Sequence, residues 1–237
     1  MKAVLTGLVL SLASVGAYAQ SLDERLVMAT ESIDIKEIVE IPIRNLKAVE
    51  SEGQILYMSD NGRYVLVGQI YDLWTRQTLD TMNQIRRSVT HLSFDDMNMP
   101  IEELNSVSVG KGRSKVVAFV DPKCESCHTL IKQAQGLSDD FTFQFVFVPA
   151  LGEVSVKDVK HISCATDKQG VVDAVLKNRV GRLAAPAECD LNVFNTTLVA
   201  ADLMGINGVP FIVAPDGEIL RGLPNDLKTW LQEREQQ

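Results

Sequence analysis

Two cysteines separated by two residues, Cys124-Glu125-Ser126-Cys127, stand directly after an apolar run and directly before a helical one. Lys115 to Val120 is apolar and β-branched, Asp121-Pro122 punctuates it, and Thr129 onward reads as helix. Cys124 therefore falls at or near a helix N-terminus, where unpaired N–H groups favour a reactive thiolate. Cys127, one turn further on, is placed to attack a mixed disulfide formed at Cys124 and release the partner. Nucleophile and resolver together are the equipment of thiol-disulfide exchange. The same spacing is also half of a zinc site, so the pair alone leaves both readings open.

The elements that would position this pair follow in order. A helix over about Cys124 to Leu137 leads to a strand over Phe141 to Pro149, whose Phe141, Phe143, Phe145 and Phe147 share one face. Helical territory runs from about Val156 to Val180, interrupted near Gln169-Gly170, and another helix includes Ala200 to Met204. Val209-Pro210 then introduces a short strand closed by Pro215-Asp216-Gly217; Ile219-Leu220 supplies a hairpin partner, and Leu223 to Gln232 a closing helix. The order β, Cys-helix, β, helices, β-β, helix is that of a thioredoxin-like α/β domain with a helical insertion. A proline at the first position of a strand is tolerated because no ladder donor is lost there. Beside the cysteine strand-helix unit, Val209-Pro210 is expected to be cis, setting a backbone edge near Cys124 against which an extended client peptide would lie. An ordinary trans proline entering a strand is the other reading.

The N-terminal part of the chain has a different texture. An apolar run from Ala3 to Val15 ends in Ala17-Tyr18-Ala19, the pattern of a secretory signal peptide over residues 1–19, with Gln20 as the mature N-terminus; an uncleaved anchor is the alternative. No later stretch approaches the ~20 consecutive apolar residues of a membrane span. Ser21 to Thr30 reads as a first helix or lead-in. Ile33 to Ile43 alternates like a strand, with Leu46 and Val49 after it, and further strands are expected over Gln54 to Ser59 and Tyr64 to Ile70, joined by the Asp60-Asn61-Gly62 turn. A small antiparallel sheet of this kind has little mass to bury both faces, so it needs a partner. Leu73, Trp74, Leu79, Met82 and Ile85 fit a loop followed by a helix, and Met97, Met99, Ile101 and Leu104 the buried side of a helical or extended connector from Asp95 to Val107. The polar stretch Ser106 to Arg113 separates that connector from the cysteine strand. Trp74 reads as a core or interface residue, and His91 and His161 as surface or packing residues.

Lys and Arg number 23 against 31 Asp and Glu, a formal charge of −8, and no polybasic tract is present, so nucleic acid is not an expected partner. All four cysteines lie after residue 120. With the leader, they indicate an oxidising compartment without a disulfide-dense chain.

The collinear set Tyr57 to Tyr64, Gly68 to Asp72, Phe119 to His128, Cys164 to Lys168, Ala185 to Asp190, Gly205 to Pro210 and Asp216-Gly217 resembles the periplasmic disulfide isomerases of the DsbC and DsbG family. The resemblance covers nearly the whole mature chain. It implies an α+β N-terminal dimerisation domain over 20–77, a linker over 78–108 and a thioredoxin-like catalytic domain over 109–237. It also implies a V-shaped homodimer with active sites facing an apolar cleft, chaperone activity, clients that are misoxidised exported proteins, and a DsbD-like membrane reductase as electron donor. Cys124, Cys127 and Pro210 would be the catalytic residues, with Val209, Glu125, Ser126 and His128 meeting the client; no metal or other cofactor is implied. A dedicated oxidase or reductase for one secretion system, and a non-catalytic holding module with structural disulfides, are the competing functions.

Two positions depart from the family pattern. Glu125-Ser126 stands between the cysteines where glycine or proline followed by tyrosine is usual, and the Glu125 charge opposes a thiolate at Cys124. Val209 stands where threonine is common and offers no hydroxyl. His128 would add positive charge when protonated, or else be a solvated helix residue. Cys164 and Cys189 form a second pair, whose intervening Gly170, Gly181 and Pro186 suit an excursion pinned by a structural disulfide. A zinc centre using all four cysteines, and free or regulatory thiols, are the other readings of that pair.

Overall fold

The computed structural model describes residues 34–235. The leader expected over 1–19, the lead-in over 21–30 and the first residue of the expected strand at Ile33 lie outside them. Among the described residues, no helix is long and apolar enough to cross a membrane.

Four antiparallel strands, β1 (Ile35–Glu40), β2 (Leu46–Ser51), β3 (Gln54–Ser59) and β4 (Val65–Val67), pair in sequence order. Gly62, with φ +67°, turns the chain between β3 and β4. Tyr64 to Ile70 is not one strand: the chain leaves the sheet after Val67, and β5 (Ile70–Asp72) pairs with β6 (Gln77–Leu79) as a separate hairpin. Leu79 consequently lies in a strand rather than in the expected loop or helix, and the helix expected after the loop is α1 (Met82–Thr90). The start is fixed by a capping box, in which Thr81 Oγ1 accepts the Gln84 N–H and the Gln84 side chain accepts the Thr81 N–H. Met82 and Ile85 of α1 pack with Val39, Ala48, Tyr57 and Leu79 into the small core of this unit, and Arg86 pairs with Glu37 across to β1.

From α1 the chain docks onto the second unit. The Leu92 N–H donates to the Gly217 carbonyl at 2.8 Å, and His91 forms a lone β-bridge with Glu218. A 3-10 turn at Ile101–Glu103 follows, with Ile101 and Leu104 buried and Met97 and Met99 packed partly against them.

The second unit is built on a five-stranded sheet in the order β11-β10-β8-β9-β7, comprising β7 (Ser106–Gly110), β8 (Ser114–Val120), β9 (Phe141–Phe147), β10 (Phe211–Val213) and β11 (Ile219–Arg221). Only β8 and β9 run parallel. β7 is a strand within the stretch expected to separate linker and domain, so the sheet starts before residue 109. Its Val107 and Val109 pair with Phe145 and Phe143 of β9, and Gly112 lets the returning chain pass Asp140, whose carbonyl oxygen would lie 1.9 Å from any Cβ there.

Alternation in the central strand supplies both faces of the core. Val116, Ala118 and Val120 face a layer formed by α2 (Glu125–Gln135), α3 (Glu153–Cys164), α4 (Val171–Leu176) and α6 (Leu227–Glu235), together with the four phenylalanines of β9. Val117 and Phe119 face the other layer, formed by Leu92, Ile101, Leu104, Ala200 and Ala201 of α5 (Asn192–Leu203) and Met204 just after it. This is a thioredoxin-like α/β unit interrupted by the helices α3 to α5.

Candidate active site

The site begins where β8 ends. Asp121-Pro122-Lys123 turns the chain, and Cys124 becomes the N-cap of α2 with φ −82° and ψ 119°. Its Sγ accepts the Cys127 N–H at 3.2 Å, so the sulfur occupies the position usually held by a capping oxygen. On its other side the Cys124 thiol donates to the Val209 carbonyl at 3.9 Å. Val209-Pro210 is a cis peptide bond, Pro210 is buried, and β10 starts at the next residue. Strand β8, helix α2 and the segment before β10 thus meet around one sulfur.

The two thiols are free and differ in surroundings. Cys124 keeps 7 % of its surface exposed and Cys127 keeps none. Burial, reinforced by the neighbouring Cys124 sulfur, pushes the Cys127 thiol far above the ordinary thiol range. Glu125 and Ser126 are exposed on the first turn of α2. His128 is half-buried and folds back on the loop: its main-chain N–H donates to the Cys124 carbonyl at 3.0 Å, and its ring Nε2 is hydrogen-bonded to the Pro122 carbonyl at 2.8 Å. Cys164, at the end of α3, is joined by a disulfide to Cys189, in the loop before α5. A zinc centre would need all four sulfurs at one point, and these two are bonded to each other.

Four residues that carry the geometry, Asp121, Lys123, Ser155 and Asp158, have no motif of their own in the sequence. Asp121 is fully buried and accepts hydrogen bonds from the main chain of Lys123, Ala150 and Leu151 and from Ser155 Oγ. Lys123 pairs with Asp158 of α3 at 2.7 Å. Together these contacts tie the turn before Cys124 to the first half of α3. The aspartate directly after the cysteine strand was the available signal, but as a residue type it reads as turn punctuation; Ser155 and Asp158 lie about thirty residues on in an unremarkable helix. His161, by contrast, has the expected packing role, with Nε2 hydrogen-bonded to the Leu183 carbonyl at 2.9 Å.

Residues 13–82 match the family model described as the disulfide bond isomerase protein N-terminal domain. Over 231 residues the chain is 25 % identical to the thiol:disulfide interchange protein DsbC of Escherichia coli, covering 94 % of this chain and 93 % of the relative. It is 26 % identical to DsbC of Haemophilus influenzae over 241 residues, with 100 % of both chains covered. These matches support a DsbC/DsbG-like thiol-disulfide isomerase family for the chain. A crystal structure of a disulfide interchange protein from Neisseria gonorrhoeae overlaps 59 % of this chain and 100 % of its own, at 23 % identity and a TM-score of 0.49. In this chain Glu125 and Ser126 are exposed beside the Cys124 sulfur, and the Val209 carbonyl accepts from its thiol.

Proposed function

We propose that the protein is a thiol-disulfide isomerase and reductase acting on misoxidised exported proteins. In this reading Cys124 is the nucleophile and Cys127 the resolving thiol. The observation that carries it is the asymmetry of the pair: one free sulfur caps a helix and retains surface, while its neighbour is sealed in the core. Cys124 thiolate attacks a client disulfide, and the N–H groups at the helix end stabilise the sulfur whenever it is released as a leaving group. The mixed disulfide is resolved either by another client thiol, which rearranges the client, or by Cys127, which reduces it. The main chain at Val209-Pro210 lies beside Cys124, and an extended client segment would align along it. Leu151 and Val154, exposed at 55 % and 63 %, follow the loop tied to Asp121 and offer an apolar rim for non-native chains.

The periplasm is the compartment that suits the leader and the chemistry, with a DsbD-like membrane reductase returning the pair to the dithiol. The four-stranded sheet acts as the dimerisation element: β4 is an exposed edge whose Val65, Leu66 and Val67 are exposed at 40 %, 58 % and 81 %. A second copy of this sheet is the proposed partner, and the resulting cleft gives the chaperone function a surface.

Trapping tests the chemistry. With Cys127→Ala, exported clients accumulate as mixed disulfides on Cys124, and Cys124→Ala abolishes them. Equal refolding of a scrambled multi-disulfide substrate by Cys124→Ala and the parent would sink the proposal. Sedimentation of the mature chain tests the assembly, with a monomer at all concentrations counting against it.

A further inference from the structure

The end of α1 and the turn between β10 and β11 bring three side chains of metal-ligand type together, outside the cysteine turn. His91 follows α1, Asp216 and Glu218 flank Gly217, and one ligand atom from each lies within 4.8 Å of the others. The backbone fixes this meeting. His91 and Glu218 form a β-bridge, and the Leu92 N–H donates to the Gly217 carbonyl at 2.8 Å. The two segments run so close that a Cβ at position 217 would stand 2.9 Å from the Leu92 carbonyl oxygen.

Each of the three side chains has one polar atom held and one left over. Thr90 Oγ1 donates its only proton to the Arg86 carbonyl at 2.8 Å, so in its 2.9 Å contact with His91 Nδ1 it can only accept. The neutral imidazole therefore carries its proton on Nδ1 and presents the Nε2 lone pair, with the hydroxyl fixing the tautomer as a supporting partner does for a metal-ligating histidine. Asp216 Oδ1 accepts the Glu218 N–H at 2.9 Å, and Glu218 Oε1 accepts from the Arg234 guanidinium of α6 at 2.8 Å. Among the described residues, His91 Nε2, Asp216 Oδ2 and Glu218 Oε2 have no hydrogen-bond partner.

One imidazole nitrogen with two carboxylate oxygens is a donor set for a divalent first-row ion, and zinc suits it best. Donors about 2.0 to 2.2 Å from a tetrahedral ion stand about 3.3 to 3.6 Å apart, so small side-chain rotations close the set, and a water completes the fourth position. Arg234 offsets part of the Glu218 charge, and the set stays net negative. Beside it lies a cavity of about 250 Å³ lined by His91, Asp216, Asp72 and Asp96 with the guanidinium of Arg87. Carboxylates outnumber cations there, and the local field draws a cation in.

We propose that His91, Asp216 and Glu218 form a zinc site that fastens the end of α1 to the β10-β11 turn. The ion clamps the N-terminal unit to the second unit at the point where one chain segment passes from the first to the other. Binding involves no covalent or redox step and does not depend on the exchange chemistry proposed above.

Calorimetric titration with zinc tests the site, using the untagged full chain with Cys124 and Cys127 closed as a disulfide so that no thiolate competes for the ion. One ion per chain at micromolar affinity or tighter is the expected result. His91→Gln and Glu218→Gln are each expected to weaken binding by at least about tenfold. Hydrogen exchange at the Leu92 amide should slow when zinc is added to the parent and stay unchanged in His91→Gln. If one variant does not fold, the other decides, and the parent's Leu92 exchange is read independently of both. Parent-strength binding by the folded variants, zinc that leaves Leu92 exchange unaltered, or no binding below millimolar zinc would each overturn the inference. An unreactive Cys124 would remove the exchange reading and leave this one standing.

Discussion

The five-stranded sheet buries both of its faces, while the four-stranded sheet packs one small core and ends in a strand exposed along its whole length. Around β8 and β9, helices cover one side and the linker and α5 the other, and all four phenylalanines of β9 are at most 1 % exposed. Around β1 to β4, six buried residues make up the core, three of them from the hairpin and α1 rather than the sheet. The contrast separates two uses of apolar side chains. In the second unit they isolate Cys127 from water and hold the elements that meet at Cys124. In the N-terminal unit part of the apolar surface is left facing outward, where a second chain would complete it.

Truncation of the packed unit should have the largest effect. Phe145 is fully buried and stacks on Phe143, with ring centroids 6.0 Å apart. Phe145→Ala is expected to cost about 3 to 5 kcal/mol, measured by denaturant unfolding of the second unit's transition. A loss as small as that of an exposed residue would erase the distinction between the two sheets. Next comes the disulfide that ties the inserted helices together: replacing Cys164 and Cys189 by serine is expected to cost roughly 3 to 4 kcal/mol, from release of a 25-residue loop in the unfolded chain. Unfolding of the double variant under non-reducing conditions checks this, and the same stability as the parent would show that the insertion holds without it.

What could be read ahead of the structure divides along the same line. Every strand and helix around Cys124 had a signal of length and period: the apolar run to Val120, the phenylalanine alternation in β9, the proline before β10. Burial on both faces makes such signals strong. β7 was hidden because Ser106-Val107-Ser108-Val109-Gly110 alternates small polar residues with valines, which reads as a loop until β9 is there to pair with it. The break between β4 and β5 was hidden for a related reason. Tyr64 to Ile70 is continuously apolar apart from Gly68-Gln69, and nothing local says that the two halves join different sheets. In the site itself, the cysteines and Pro210 announce themselves by type and spacing. Asp121 with Ser155, and Lys123 with Asp158, are tertiary pairs, and a single sequence records no distance between residues thirty or more apart.

The titration of Cys127 gives a smaller effect with a definite sign. Its folded-state value is raised by burial, so between the ordinary thiol range and that raised value the folded chain holds a proton that the unfolded chain has lost. The contribution is fully present below about pH 8.5 and declines as pH rises, by at most about 1.4 kcal/mol per pH unit. Urea unfolding of the dithiol form at a series of pH values should show this decline, and Cys127→Ala should lack it. An equal slope in both would mean that Cys127 is not the buried acid described here.

The smallest effect on the fold is expected at the open edge, and there it is the assembly that should respond. Val67 lies at the end of β4 with 81 % of its surface exposed, and among the described residues β4 pairs with β3 alone. Val67→Lys removes little buried area from one chain, so its effect on unfolding within the monomer should stay within about 0.5 kcal/mol. A lysine on an edge strand, however, blocks the approach of a second sheet, because its charge would have to be desolvated against apolar neighbours. Sedimentation should therefore shift from dimer toward monomer while the pair at Cys124 and Cys127 still exchanges with a small disulfide. A variant that stays dimeric would move the interface away from β4, and one that unfolds would show that the edge is part of the monomer's own core.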